Sequence, residues 1–127
     1  MDIIVGGGKY GCEAVEYLRK KRRGFVLVDK DPGCLAVKRY KLKTASDFNA
    51  EGEHFIQGDI ATVSQLLTCL KPEYIFPTAP IHVAAELARS KFKLAPWDEA
   101  INYILVNLPP SVILRTGSGN LIVSYNR

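Results

Sequence analysis

The residues with the clearest chemistry stand near the start of the chain, in Gly6-Gly7-Gly8-Lys9-Tyr10-Gly11. Glycines at the first, third and sixth places of such a run suit a turn that receives a pyrophosphate. Gly6 permits the tight turn, Gly8 lets backbone approach the phosphates, and Gly11 lets the next helix pack closely on the strand. The free N–H groups of that helix's first turn, with the positive end of its dipole, complete an anion site. The spacing means little alone. Here it has its context: apolar Ile3-Ile4-Val5 precede it and a helical pattern follows.

A second element is Asp29, which closes the β-rich run Phe25-Val26-Leu27-Val28, roughly 20 residues on as the fingerprint requires. A carboxylate there hydrogen-bonds ribose hydroxyls and repels a 2′-phosphate. It therefore favours NAD(H), or an adenine nucleotide with a free ribose, over NADP(H). Lys30 works against that preference, because it could pair with such a phosphate. Gly58-Asp59 follows a third strand pattern and would set Asp59 beside adenine. Asp59 is equally a good N-cap for a helix starting at Ile60, and the two roles are compatible. The expected cofactor-binding residues are thus Gly6, Gly8, Lys9, Tyr10, Gly11, Asp29, Lys30 and Asp59. NAD(H) is the first ligand expected, with ADP, ATP or NADP as the others.

Catalytic candidates are fewer. The loop after the fourth strand pattern carries Thr78 and His82, near where the nicotinamide end of a dinucleotide would lie. Histidine is a common general acid or base near neutral pH, and His82 could act as one. In the first turn of a helix it could equally cap, pack or face solvent. Cys12 falls in the first turn of the phosphate-binding helix, a place that suits a redox-sensing thiol, although a small side chain packed behind the glycines accounts for it as well. No Ser/His/Asp set, paired carboxylates or metal-ligand cluster stands out. The favoured function is a regulatory or sensing module that binds NAD(H) or an adenine nucleotide. The alternatives are a small NAD-dependent oxidoreductase acting as an oligomer and an S-adenosylmethionine-dependent methyltransferase.

The elements that must position these residues alternate. Strand patterns cover Asp2–Val5, Phe25–Val28, His54–Gln57 and Glu73–Phe76. Helical patterns cover Tyr10–Arg22, Pro32–Arg39, Ile60–Leu70, Ile81–Phe92 and Pro96–Leu108. The segment from Thr44 to Glu53 is polar and reads as irregular. Val112–Arg115 and Leu121–Tyr125 flank the glycine-bearing Thr116–Asn120 and read as a hairpin. Alternation of this kind predicts an α/β, doubly wound, mostly parallel sheet of Rossmann-like design. The C-terminal hairpin is expected to add one antiparallel edge strand. Residues 1–127 are read as a single nucleotide-binding domain.

Composition fits that reading. The chain has 127 residues, 47% hydrophobic and 24% charged, an ordinary globular mix that argues against disorder. No apolar run reaches the roughly 18 residues of a membrane span, and Met1-Asp2-Ile3-Ile4-Val5 lacks the basic start of a signal peptide. A cytoplasmic protein without membrane insertion is expected. The net charge of +4 gathers in two clusters, residues 19–23 and 38–43. The first suits a helix C-terminus. Neither has the interleaved aromatics of a nucleic-acid platform, so no nucleic-acid partner is expected. Cys12, Cys34 and Cys69 have no metal or redox spacing and read as reduced thiols. A homodimer through the hairpin or the helix bearing Trp97 is the expected assembly.

In their order, Ile3-Ile4-Val5-Gly6-Gly7-Gly8-Lys9-Tyr10-Gly11, Val26-Leu27-Val28-Asp29-Lys30-Asp31 and Gln57-Gly58-Asp59-Ile60-Ala61 resemble the TrkA-N domain, the N-terminal domain of regulators of potassium conductance. The resemblance covers roughly residues 1–90. It implies that Gly6, Gly8 and Gly11 cradle phosphates, that Asp29 binds ribose and that Asp59 lies beside adenine. Pro77-Thr78-Ala79-Pro80-Ile81-His82 departs from the alanine- and threonine-rich stretch of that family, and residues 96–127 have no match in it. The resemblance therefore implies nucleotide binding more than control of potassium transport.

Overall fold

The computed structural model describes residues 1–46, 52–117 and 120–124. They fall into two compact units, residues 1–92 and 93–127, where the sequence reading treats the chain as one domain.

The first unit holds a five-stranded sheet in the order β3-β4-β2-β1-β5. Its strands are β1 (Asp2–Val5), β2 (Phe25–Asp29), β3 (Lys43–Thr44), β4 (Glu53–Gln57) and β5 (Ile75–Pro77). Every pairing is parallel. The strands β1 and β2 are nearly continuous apolar runs because helices cover both faces of the sheet. Ile4, Phe25, Leu27 and Phe55 point to one face, where they meet Cys12, Val15 and Leu18 of α1 (Lys9–Lys20) and Ala36 of α2 (Leu35–Tyr40). Ile3, Val5, Val26 and Val28 point to the other, against Val63 and Leu66 of α3 (Ile60–Leu70) and Val83 of α4 (Val83–Phe92). The alternation follows from the two-residue period of a strand. The sheet is doubly wound, as expected.

Register sets the site. Val5 lies level with Val28 and with Pro77, and Asp29 lies level with Gln57. The residues that follow each strand therefore emerge together at one end of the sheet. The chain leaves β1 through α1 to β2 on one flank and returns from β4 through α3 to β5 on the other. Strand order thus reverses between β1 and β5, and ligands of open α/β sheets bind at such a switch point.

Two expectations need correction here. The polar segment after Thr44 is not irregular at its ends. Lys43–Thr44 pairs with His54–Phe55 as an edge strand, and β4 begins at Glu53; residues 47–51 lie outside the described residues. Helix α2 begins at Leu35 and not at Pro32, because Asp31 and Gly33 are spent on a turn in which the Asp31 carboxylate accepts the Gly33 N–H at 2.8 Å.

The basic cluster at the end of α1 does more than suit a helix C-terminus. Arg19 makes a two-pronged pair with Glu53 at 2.7 and 2.6 Å. Arg23 grips fully buried Asp2 at 2.7 and 3.0 Å and reaches Glu73 at 2.7 Å. Asp2 also accepts the Tyr74 N–H at 3.0 Å. Burial opposes ionisation of Asp2, but the Arg23 guanidinium and the Tyr74 N–H outweigh it and hold its carboxyl below the usual range. These contacts tie β1, α1 and β5 together at the end of the sheet opposite the glycine turn.

The second unit comprises α5 (Asp98–Asn107), a 3-10 turn at Pro110–Val112, and the antiparallel pair β6 (Ile113–Gly117) and β7 (Asn120–Val123). Asp98 and Glu99 occupy the first turn of α5, the placement its dipole favours. The expected hairpin is present over Ile113–Gly117 and Asn120–Val123, with residues 118, 119 and 125 outside the described residues, but it does not extend the parallel sheet. Its strands satisfy one another in a separate two-stranded sheet, and the Ser124 N–H closes it on the Val112 carbonyl at 2.8 Å. Among the described residues, no helix is long and apolar enough to cross a membrane.

Candidate functional site

At three of the four glycines between β1 and the first turns of α1, nothing larger fits. Gly6 sits at φ +108°, in the region that favours glycine, and a Cβ there would meet the Ala79 backbone at 2.7 Å. Its N–H donates to the Val28 carbonyl at 2.8 Å. A Cβ on Gly11 would collide with the Gly6 carbonyl oxygen, so α1 packs on the turn itself and not merely on the strand. Gly7, which the sequence reading passed over, has no room either: a Cβ would strike Cys34 Sγ. Gly8 is the opposite case. It is the N-cap of α1, with no side-chain cap and no acidic residue in the first turn. A Cβ there meets nothing within 4 Å. The space beside Gly8 is open, which is what a backbone cradle for an anion requires.

Around this turn lies a crevice of about 410 Å³, within the size range of small-molecule sites. It is bordered by Val5, Gly6 and Gly8 at and beyond the end of β1, by Val28, Asp29 and Lys30 at and beyond the end of β2, by Gly58, Asp59 and Ile60 after β4, and by residues 78–81 after β5. Five of the expected site residues, Gly6, Gly8, Asp29, Lys30 and Asp59, thus converge there with Thr78. Lys9, Tyr10, Gly11 and His82 are not among its lining. Tyr10 is exposed, with Lys9 Nζ 5.9 Å from its ring centroid. His82 is exposed ahead of α4, where its carbonyl accepts the Glu86 N–H at 2.9 Å.

Both carboxylates of the crevice already have a structural task. Asp29 Oδ2 accepts the Gly7 N–H at 2.6 Å and Oδ1 accepts the Asp31 N–H at 2.9 Å. A carboxylate has about four lone-pair sites, so both oxygens retain capacity for ribose hydroxyls. Asp59 caps α3: its Oδ1 accepts the N–H groups of Ala61 and Thr62 at 2.9 and 3.4 Å, while its own N–H donates to Thr62 Oγ1 at 3.3 Å. The capping role anticipated for Asp59 is present in full. The Lys30 carbonyl accepts the Gln57 side-chain amide at 3.1 Å, and the Lys30 side chain is exposed.

Thr78 serves as a latch. Its hydroxyl reaches the carbonyls of Gly6 at 2.8 Å and Val5 at 3.0 Å, and its N–H donates to Val5 at 3.0 Å. The single hydroxyl proton is shared between two backbone oxygens, so toward a ligand the hydroxyl offers lone pairs. No local signal marks this role, because Thr78 and Gly6 lie 72 residues apart in the chain. Cys12 is buried in the cluster beneath α1, which fits a small packed side chain. Cys34 is buried behind the turn, and burial pushes its thiol pKa up.

The chain is 49% identical over 129 residues to an "Uncharacterized protein" of Archaeoglobus fulgidus. The match takes in 100% of this chain and 60% of the relative, so the chain spans about 60% of that relative's length. A family model described as "Uncharacterized protein, N-terminal domain" matches residues 1–83, a stretch that contains every residue bordering the crevice. The chain belongs to that family.

Proposed function

We propose that the crevice binds an adenine nucleotide, NAD(H) first and ADP, ATP or NADP otherwise, and that the chain serves as a regulatory or sensing module. One observation carries this reading: the uncapped N-terminus of α1 opens at the switch point, between Asp29 and Thr78. Its unpaired N–H groups and positive dipole end suit phosphates. Asp29 retains acceptor sites for a ribose diol, which favours a free 2′-hydroxyl. Apolar Val5, Val28, Ile60 and Ile81 in the lining suit a base. The resemblance to the TrkA-N domain points the same way.

Binding is favoured over catalysis because the candidates for proton transfer are poorly placed for it. The Thr78 proton is shared between backbone carbonyls, and His82 is not among the lining residues. A cytoplasmic location accords with three free cysteines. A homodimer would find exposed apolar side chains on α5, among them Tyr103 and Val106, and Trp97 just ahead of it; light scattering checks it.

Calorimetry with NADH, NAD, NADPH, ADP, ATP and S-adenosylmethionine tests the proposal. NADH or an adenine nucleotide should bind, and NADPH should bind more weakly than NADH. Absence of binding by all six would remove the cofactor reading. Hydride transfer to small substrates that disappears in His82→Ala would replace the sensor by an oxidoreductase.

A further inference from the structure

We infer that Asp29 is a positioning residue for the phosphate turn, acting through the Gly7 peptide in addition to any contact with ribose. The Gly7 residue is gripped on three sides. Its N–H donates to Asp29 Oδ2 at 2.6 Å. Its carbonyl accepts the Ala36 N–H at 2.9 Å. Its Cα packs against Cys34 Sγ so closely that a Cβ has no place. All three gripping groups belong to residues 29–36, the end of β2 and the start of α2.

Asp29 is itself held in orientation. Its Oδ1 accepts the Asp31 N–H at 2.9 Å, Asp31 in turn accepts the Gly33 N–H through its side chain at 2.8 Å, and the Asp31 carbonyl accepts the Cys34 N–H at 3.1 Å. The bond to Gly7 is short and charge-assisted, the stronger class of hydrogen bond. Three successive glycines carry no side chains with which to hold their own shape. The direction in which Gly8 and the first N–H groups of α1 point is therefore set from outside, and Asp29 is the charged member of that outside grip. Removing it leaves a buried N–H without its acceptor and frees the turn that aims the phosphate donors.

The consequence separates this role from ribose binding: Asp29 should matter to a ligand that has no ribose. This rests on the nucleotide reading for its ligand, though not for the geometry of Gly7. The experiment compares Asp29→Ala and Asp29→Asn with the unaltered chain by titrating inorganic pyrophosphate and ADP, and follows the Gly7 amide by NMR without ligand. Asp29→Ala should weaken pyrophosphate about tenfold or more, as loss of a hydrogen bond to a charged group implies, and should move the Gly7 amide proton upfield. Asp29→Asn keeps an acceptor oxygen. It should hold pyrophosphate within about threefold, lose more for ADP, and move the amide less. Unchanged pyrophosphate affinity in Asp29→Ala with weakened ADP would leave a ribose contact alone and overturn the inference. If the unaltered chain binds neither ligand, the proposed function falls, and the Gly7 amide still decides: a resonance unmoved in Asp29→Ala overturns the positioning role. If that variant does not fold, an unmoved resonance in Asp29→Asn does the same.

Discussion

Two helices begin at the rim of the same crevice, and they begin differently. Helix α3 is closed by its own residues: Asp59 and Thr62 exchange hydrogen bonds in a complete capping box. Helix α1 starts at Gly8 with no side-chain cap and no acid in its first turn. Both have the same four orphan N–H groups and the same positive dipole end. One uses them for its own stability and the other leaves them open. The contrast teaches that a helix start is a candidate anion site only where the chain has declined to cap it. Asp59 is placed to border the crevice as well as to cap, so α3 offers a wall and α1 offers the pole.

Converting one helix start into the other gives the largest expected effect. Gly8 has backbone angles of φ −80° and ψ −157°, which aspartate adopts without strain, and its Cβ would enter open space. Gly8→Asp should therefore cap α1 and place a carboxylate where phosphate is proposed. Like-charge juxtaposition costs several kcal/mol, so ADP or NADH affinity should fall by about 100-fold or more, with unfolding stability kept or slightly raised. Calorimetry and a urea melt read both; undiminished affinity would place the anion elsewhere.

The opposite end of the sheet sharpens the contrast, because Asp2, Arg19, Arg23, Glu53 and Glu73 there are joined in ion pairs. Asp2→Ala should cost about 2–3 kcal/mol in a urea melt, from lost charge-assisted bonds and an orphaned Tyr74 N–H, without changing nucleotide affinity. The folded-state pKa of Asp2 is depressed, so its contribution is present above the unfolded value near 3.9 and is lost as pH falls through the folded one. Stability of the unaltered chain should drop below about pH 4, and Asp2→Asn should flatten that dependence.

Smaller effects test the α3 side. Asp59→Ala should lower stability by about 1 kcal/mol, the usual value of an N-cap, while Asp59→Asn should keep the cap and remove only the charge. An affinity change shared by both variants would assign Asp59 to the ligand; a change in neither would leave it a cap. Thr78→Val should cost about 1 kcal/mol or less, since the Thr78 N–H still reaches the Val5 carbonyl, and a thermal melt compares it with the unaltered chain.

Much of the architecture was legible because it follows local rules. Short, nearly continuous apolar runs mark β1 and β2 as strands buried on both faces. Val63 and Leu66 with Asp59 before and Pro72 after bound α3. The glycine spacing placed the turn, and Asp29 and Asp59 were found at strand ends. What was missed has distant partners. Arg23 stands in a cluster of five cations read only as suiting a helix C-terminus, yet it holds Asp2 across 21 residues and Glu73 across 50. Gly7 had no assigned role because its neighbours, Asp29, Cys34 and Ala36, come from another strand and helix. The hairpin was read correctly as two paired strands, but which sheet it joins is not a local property.

The sequence by itself determined the alternating elements, the buried faces of the strands and the glycine turn, since periodicity and steric permission act within a few residues. The tertiary structure alone decided that Thr78 latches Gly6, that Asp29 grips Gly7, and that α1 is left uncapped beside Asp29. Those contacts exist only after parallel crossovers bring four strand ends level, and hydrogen-bond partners across such distances are chosen by topology and register.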